Sequence, residues 1–424
     1  MRTCAVLFAA PTERLPRFRN PVSSHPMRVF YAKAVYGAEE VAAVTDTLTN
    51  RPLELMGGPT VEAFEARIAA LFGKRHGLMV NSGSSANLLA LAALDLPRGS
   101  EVITPALTFS TTVAPLVQHG LVPAFVDVEP DTYVIDAARV EEMVGPKTRA
   151  MMVPNLIGNL PDWTALRAIA GRHGLLLVED SCDTVGYQYR GGTTGEVTDV
   201  AVTSFYASHV MTCAGFGGLV AFNDPALERR ARLLRGWGRS SSLVAESERI
   251  EDRFGVETDG VPYDNKFVFE GIGYNFLPSA LAAAFGLVQL GRLPGFIEAR
   301  IRNFTRLHEF FTSYAHWFVL PRQRADTRTA WLAFPLIVRD DAPFRRRDLQ
   351  VHLETLGIQT RTVFTGNILR QPGFRNIERR DHPAGYANAD RVMRGGMLLG
   401  CHQGMDDEQL AYMLDAFRQF MKRW

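Results

Sequence analysis

The chain has 424 residues, 46% hydrophobic and 21% charged, with 46 Lys and Arg against 45 Asp and Glu. Such a length buries a large core, and room remains for a second. A net charge near zero excludes the basic excess of a nucleic-acid or anionic-membrane binder, and no apolar run in the sequence reads as a bilayer span.

Residues 1–28 carry Pro11, Pro16, Pro21 and Pro26. They read as a flexible N-terminal extension rather than a signal peptide, because the short apolar patch soon meets proline and charge. Helical patterns begin at Ala38 and at Thr60. From His76 the chain alternates: HGLMV, EVITP, VPAFVDV, RAMMVPN and LLLVEDS read as strands. SGSSANLLALAAL, TTVAPLVQHG and WTALRAIAGRHG between them read as helices. This pattern predicts an α/β fold with a mainly parallel sheet covered by helices on both faces. DVAVTSFYA and GGLVAFN add two strands around a turn, and 238–265 reads as a polar surface loop or lid. A helix-rich stretch follows from Pro278 to about Tyr314. WLAFPLIV, a helix at RRDLQVHLETLG and a last helix at DDEQLAYMLDAFRQFM then suggest a smaller α+β unit. The expected division is a large domain at 29–290 and a small C-terminal domain at 291–424.

Three segments carry candidate chemistry. In NSGSSAN, residues 81–87, Gly83 and Ser84 open a helix after a strand, where small residues and free amides suit a phosphate; an ordinary Ser N-cap gives the same letters. In VEDSCDTVG, residues 178–186, Asp180 and Asp183 follow a strand at the end where open α/β sheets bind ligands, although single Asp residues there are commonly caps. In SFYASHVMTCAGFGGLV, residues 204–220, Ser204 offers a hydroxyl and His209 an imidazole. An imidazole exchanges protons near neutral pH, yet a lone His is more often simply packed. Phe109 in TPALTFSTT is either a core residue or a platform for a flat ring.

Taken in order, SGSSAN, EDSCD, SFYASHVMT with its Gly-rich turn, and GIGYN at 271–275 resemble the sugar aminotransferase and dehydratase family named DegT/DnrJ/EryC1/StrS. Its members are fold-type I pyridoxal-phosphate enzymes, and the similarity runs from about Val29 to the C-terminus. The resemblance implies the fold-type I transferase architecture and a bound pyridoxal 5'-phosphate or pyridoxamine 5'-phosphate. Gly83, Ser84 and Ser204 would hold the phosphate, and Asp180 would pair with the pyridine nitrogen. Asp183 would lie near the ring hydroxyl, where aminotransferases usually have Gln, and Phe109 over the ring. Asn275 would reach the phosphate of the neighbouring subunit in a homodimer. No metal is implied.

Most family members have Lys where this chain has His209. The subgroup with His there resembles nucleotide-sugar 3-dehydratases, which remove the C3 hydroxyl of NDP-4-keto-6-deoxyhexoses. TRTVFTGNILRQPGF at 360–374 also looks like that subgroup. His209 would then be the catalytic acid/base in place of a Schiff-base lysine. The turn AGFGG departs from the family's usual GEGG. Cys4, Cys182, Cys213 and Cys401 form no CxxC pair, which suits a reduced cytoplasmic setting. With only Cys401 in the C-terminal half, the four-cysteine [2Fe–2S] branch is disfavoured. The amino group or electrons would then come from a donor such as glutamate or from a separate reductase. Arg361 and Arg370 either meet a diphosphate or serve the surface. The alternatives are elimination, epimerisation or oxidation on another natural-product intermediate, and a silent sugar-nucleotide-binding homologue.

Overall fold

The computed structural model describes residues 27–244 and 248–424, so the expected extension at 1–28 lies almost wholly outside the described residues. Apolar five- to seven-residue runs form a seven-stranded sheet: β1 (His76–Val80), β2 (Glu101–Pro105), β3 (Val122–Val126), β4 (Thr148–Pro154), β5 (Leu176–Ser181), β6 (Val200–Ser204) and β7 (Gly218–Phe222). Their order is β1-β7-β6-β5-β4-β2-β3. All pairings from β3 to β6 are parallel, and only β7 runs against its two neighbours. The sheet is therefore mainly parallel, as the apolar alternation predicts. The C-terminal ends of β1, β2, β5 and β6 share one edge, and the helices that follow β1 and β2, Gly83–Leu94 and Ser110–Gln118, begin there.

Two cores flank this sheet. One packs Phe64, Ile68, Trp163 and Leu166 against one face. The other packs Leu89, Ala90 and Ala93 of α3 (Gly83–Leu94) against the opposite face. Before α3 come α1 (Ala38–Asn50) and α2 (Pro59–Leu71); after it come α4 (Ser110–Gln118), α5 (Trp163–His173) and α6 (Pro225–Arg235).

The helix-rich stretch is one 33-residue helix, α7 (Ala280–Thr312), which runs straight through residue 290. Its first half buries Ala283, Leu290, Leu293 and Ile297 in the large-sheet core. Its second half buries Leu307 and Phe311 against a four-stranded antiparallel sheet. That sheet has the order β8 (Phe318–Val319), β9 (Phe334–Val338), β11 (Gly396–Leu399) and β10 (Thr360–Thr362). Contrary to the sequence reading, α7 holds an 18-residue stretch, of mean hydropathy 1.4, long and apolar enough to cross a bilayer. It instead shares both cores and buries Gln289, Arg300 and Asn303, which a lipid-facing helix does not tolerate. The segment 238–265, expected as a loop, includes a short helix, Ile250–Phe254. It contains a short hairpin, Val256–Thr258 against Val261–Tyr263, and exposes Ile250, Phe254 and Tyr263.

Candidate active site

The shared edge of the sheet gathers most of the predicted residues. Ser82 caps α3, its hydroxyl accepting the Ser85 amide at 3.1 Å. Gly83 is forced by contact: a Cβ there would lie 2.5 Å from Ser204 Cβ and 2.7 Å from Cys182 Sγ. Gly218, the first residue of β7, closes the same wall, since its Cβ would lie 2.3 Å from the Ser82 carbonyl oxygen. These two glycines bring the first amides of α3 against the Ser204 hydroxyl. Ser84 is exposed, and its hydroxyl donates to Thr111 Oγ1 at 3.1 Å. Helix-terminal amides and hydroxyls converge there with the positive end of the helix dipole, a cradle that could hold a dianion.

Asp180, near the end of β5, is buried and rigidly held. Its Oδ2 accepts from Asn87 Nδ2 at 2.9 Å and Thr112 Oγ1 at 2.8 Å, and its Oδ1 accepts the Cys182 amide at 3.1 Å. A carboxylate has about four acceptor positions, so one remains for a protonated ring nitrogen. Asp183 accepts the Ile157 amide at 2.8 Å. Burial drives its carboxyl up to about 7; the Ile157 amide opposes the rise and the Asp180 charge adds to it. Ile157 itself has φ 59°, a costly conformation for a β-branched residue, and that conformation aims its N–H at Asp183. Phe109 precedes α4 with 49% of its surface exposed, one edge against Phe364 at 5.9 Å. Its free face is available to a flat ring.

His209 lies in the turn between β6 and β7. Its Nδ1 is 3.3 Å from the Ser204 carbonyl oxygen. A carbonyl only accepts, so the neutral ring carries its hydrogen on Nδ1 and leaves the Nε2 lone pair free. Burial lowers the imidazole pKa to about 4; the Ser204 contact opposes this, Arg300 adds to it, and Asp180 opposes it weakly. The ring is thus a neutral base throughout the usual pH range. The AGFGG departure is absorbed by positive φ at Ala214, Gly215 and Gly217, with Phe216 pushed outward against Tyr206 at 5.7 Å.

Asn275 stands apart. It is exposed, and no hydrogen bond joins it to this cluster within the chain. Arg370 is held by Asp390 at 2.8 Å, which favours its structural reading, whereas Arg361 lies over the Tyr31 ring at 5.5 Å. Lys74 is buried against the carbonyls of Gly195 and Thr198, and Lys266 is paired with Glu248 at 2.6 Å. Neither lysine replaces the missing one. Sequence reasoning missed Asn87, Thr112 and Ile157. Asn87 had a signal, because it lies one turn along α3 from Gly83 on the same face; the other two act across the fold.

The profile of the DegT/DnrJ/EryC1/StrS aminotransferase family matches residues 35–418. The chain belongs to that family. Among its curated relatives is the dTDP-4-dehydro-2,6-dideoxy-D-glucose 3-dehydratase of Saccharopolyspora spinosa, 37% identical over 88% of this chain and 82% of that one. Another is the dTDP-3-amino-3,4,6-trideoxy-alpha-D-glucose transaminase of Streptomyces venezuelae, 31% identical over 92% of this chain and 95% of that one. A solved GDP-4-keto-6-deoxymannose-3-dehydratase with a trapped PLP-glutamate geminal diamine superposes with a TM-score of 0.82 at 27% identity, covering 92% of this chain and all of that one. The fold is therefore that of the pyridoxal-phosphate aminotransferases. The chain is an enzyme-family member whose relatives act on deoxysugar nucleotides as dehydratases and as transaminases.

Proposed function

We propose that the chain is a pyridoxamine-phosphate-dependent dehydratase that removes the C3 hydroxyl of a nucleotide-linked 4-keto-6-deoxyhexose. One observation carries the reading: an imidazole, not an amine, stands at this sheet edge, its Nδ1 3.3 Å from the Ser204 carbonyl oxygen and its Nε2 without a hydrogen-bond partner among the described residues, while burial holds its pKa down at about 4. When bound, the cofactor supplies an aromatic electron sink. The chain's own residues do the rest. The α3 amides, Ser84 and Ser204 bind the phosphate. Asp180, locked by Asn87 and Thr112, holds the proton on the ring nitrogen. Phe109 covers one face, and Asp183 meets the ring hydroxyl. Asn275 of the partner subunit completes the phosphate site in a homodimer. Nε2 of His209 takes up a proton in the first half of the reaction and returns it to the departing hydroxyl. An amino donor such as glutamate, or a separate reductase, would restore the cofactor between turnovers. The setting is cytoplasmic, where nucleotide sugars are made.

Mass spectrometry of the protein incubated with pyridoxamine phosphate and a panel of NDP-4-keto-6-deoxyhexoses tests this. Loss of the C3 oxygen from one sugar, dependent on His209, is expected. An intact panel despite cofactor binding would overturn the substrate assignment, and absence of cofactor binding would indicate a silent homologue.

A further inference from the structure

Arg300 is fully buried, and among the described residues no carboxylate forms an ion pair with it. Its guanidinium is spent on oxygen atoms of neutral groups. Nη1 donates to the carbonyls of Trp331 at 3.1 Å and Leu332 at 2.9 Å, Nε donates to Gln403 Oε1 at 2.7 Å, and Nη2 points to the His209 carbonyl at 3.4 Å. Gln403 continues the chain of contacts, donating through Nε2 to the Val210 carbonyl at 3.1 Å. Two consecutive carbonyls of the His209 turn are therefore gripped from α7 and from the segment after β11. A buried, unneutralised cation is expensive, and a methionine would fill the same space without that cost. Arg300 also sits where α7 passes from one core to the other, so the grip ties the His209 turn to the small sheet.

We propose that Arg300, together with Gln403, is the positioning residue for His209: the pair fixes the turn through its carbonyls and sets one positive charge behind the imidazole. The inference rests on the acid/base reading of His209. The charge disfavours a second cation on the ring, so it keeps Nε2 available as a base. The titratable and charged groups facing His209 are Asp180 from β5, Arg300 from α7 and Tyr206 within its own turn. Those facing Arg300 are Tyr31, Cys401 and His402, none of them an anion at neutral pH.

The test reads His209 directly, by proton NMR titration of its imidazole in the cofactor-free protein. The His209 signal is the one missing from His209→Asn. In Arg300→Met the midpoint should rise by about one pH unit, the scale of one nearby charge. In Arg300→Lys it should stay near the native value, because the charge remains. Gln403→Leu should also leave the midpoint in place. It should lower kcat by up to about 100-fold through misplacement of the ring, with KM changed less than about twofold. An unmoved midpoint in Arg300→Met overturns the electrostatic part, and an unchanged kcat in Gln403→Leu overturns the grip. If Arg300→Met does not fold, Arg300→Lys carries the test: it loses the fork, so kcat must fall while the midpoint holds. Full activity of His209→Asn would instead sink the acid/base reading, which these titrations do not depend on.

Discussion

A single nitrogen atom, Nε2 of His209, separates this site from a lysine-based one. Replacing His209 by Asn keeps the polar contact to Ser204 but removes the base. The expected result is a fall in kcat on the order of 100-fold or more, with cofactor binding, followed by absorbance, nearly unchanged. Asp183 gives a pH prediction of opposite character. Its folded carboxyl titrates at about 7, above the ordinary value near 3.8, so the native state binds the extra proton between those limits. The cofactor-free protein should therefore lose stability as pH rises from about 4 to 7. Asp183→Asn should remove that loss, gaining on the order of 4 kcal/mol at pH 8, the worth of a shift of roughly three pH units, and little at pH 4, as urea denaturation can measure. At this scale the placement of Gly83, Ser84, Asp180, Ser204 and His209 on one sheet edge was legible, because each lies at or just after the C-terminal end of a readable strand. Thr112, Ile157 and Arg300 were not. Their partners lie far away in the chain, and only the folded sheet brings them together.

Strand and helix positions carry a different kind of constraint. Gly218 is fixed by backbone, not by a movable side chain, since its Cβ would strike the Ser82 carbonyl. Gly218→Ala should therefore destabilise the protein by about 1–3 kcal/mol and weaken phosphate binding, measured by denaturation and by cofactor titration. The buried strands β1 to β7 were readable from continuous apolar runs between turn residues. The small sheet was readable only at WLAFPLIV, because β8 and β10 have two and three residues and show too little pattern. The hairpin at 256–263 was hidden by its polar composition. The helix-rich stretch expected from Pro278 to about Tyr314 is one unbroken helix, α7, with Pro294 inside it.

At the scale of the molecule, apolar surface remains uncovered. Leu53 is 98% exposed and Met56 73%, and Val41 and Leu48 on α1 are also exposed. Monomers rarely leave such patches bare. Leu53→Glu combined with Met56→Glu should convert the proposed homodimer into monomers in light scattering. It should also weaken cofactor binding, because Asn275 would no longer be delivered by the partner. The overall α/β class was plain from the alternation, whereas assembly entered only through the resemblance carried by GIGYN and its Asn275.

The imidazole at 209 has a last consequence, in mass action. Without an amine at that position the cofactor is held by reversible contacts alone, so its occupancy follows its free concentration at every moment. Prolonged dialysis should strip the protein. Each tenfold rise in free cofactor above the dissociation constant should then add about 1.4 kcal/mol of stability, so the melting temperature should climb steadily with the logarithm of cofactor supply.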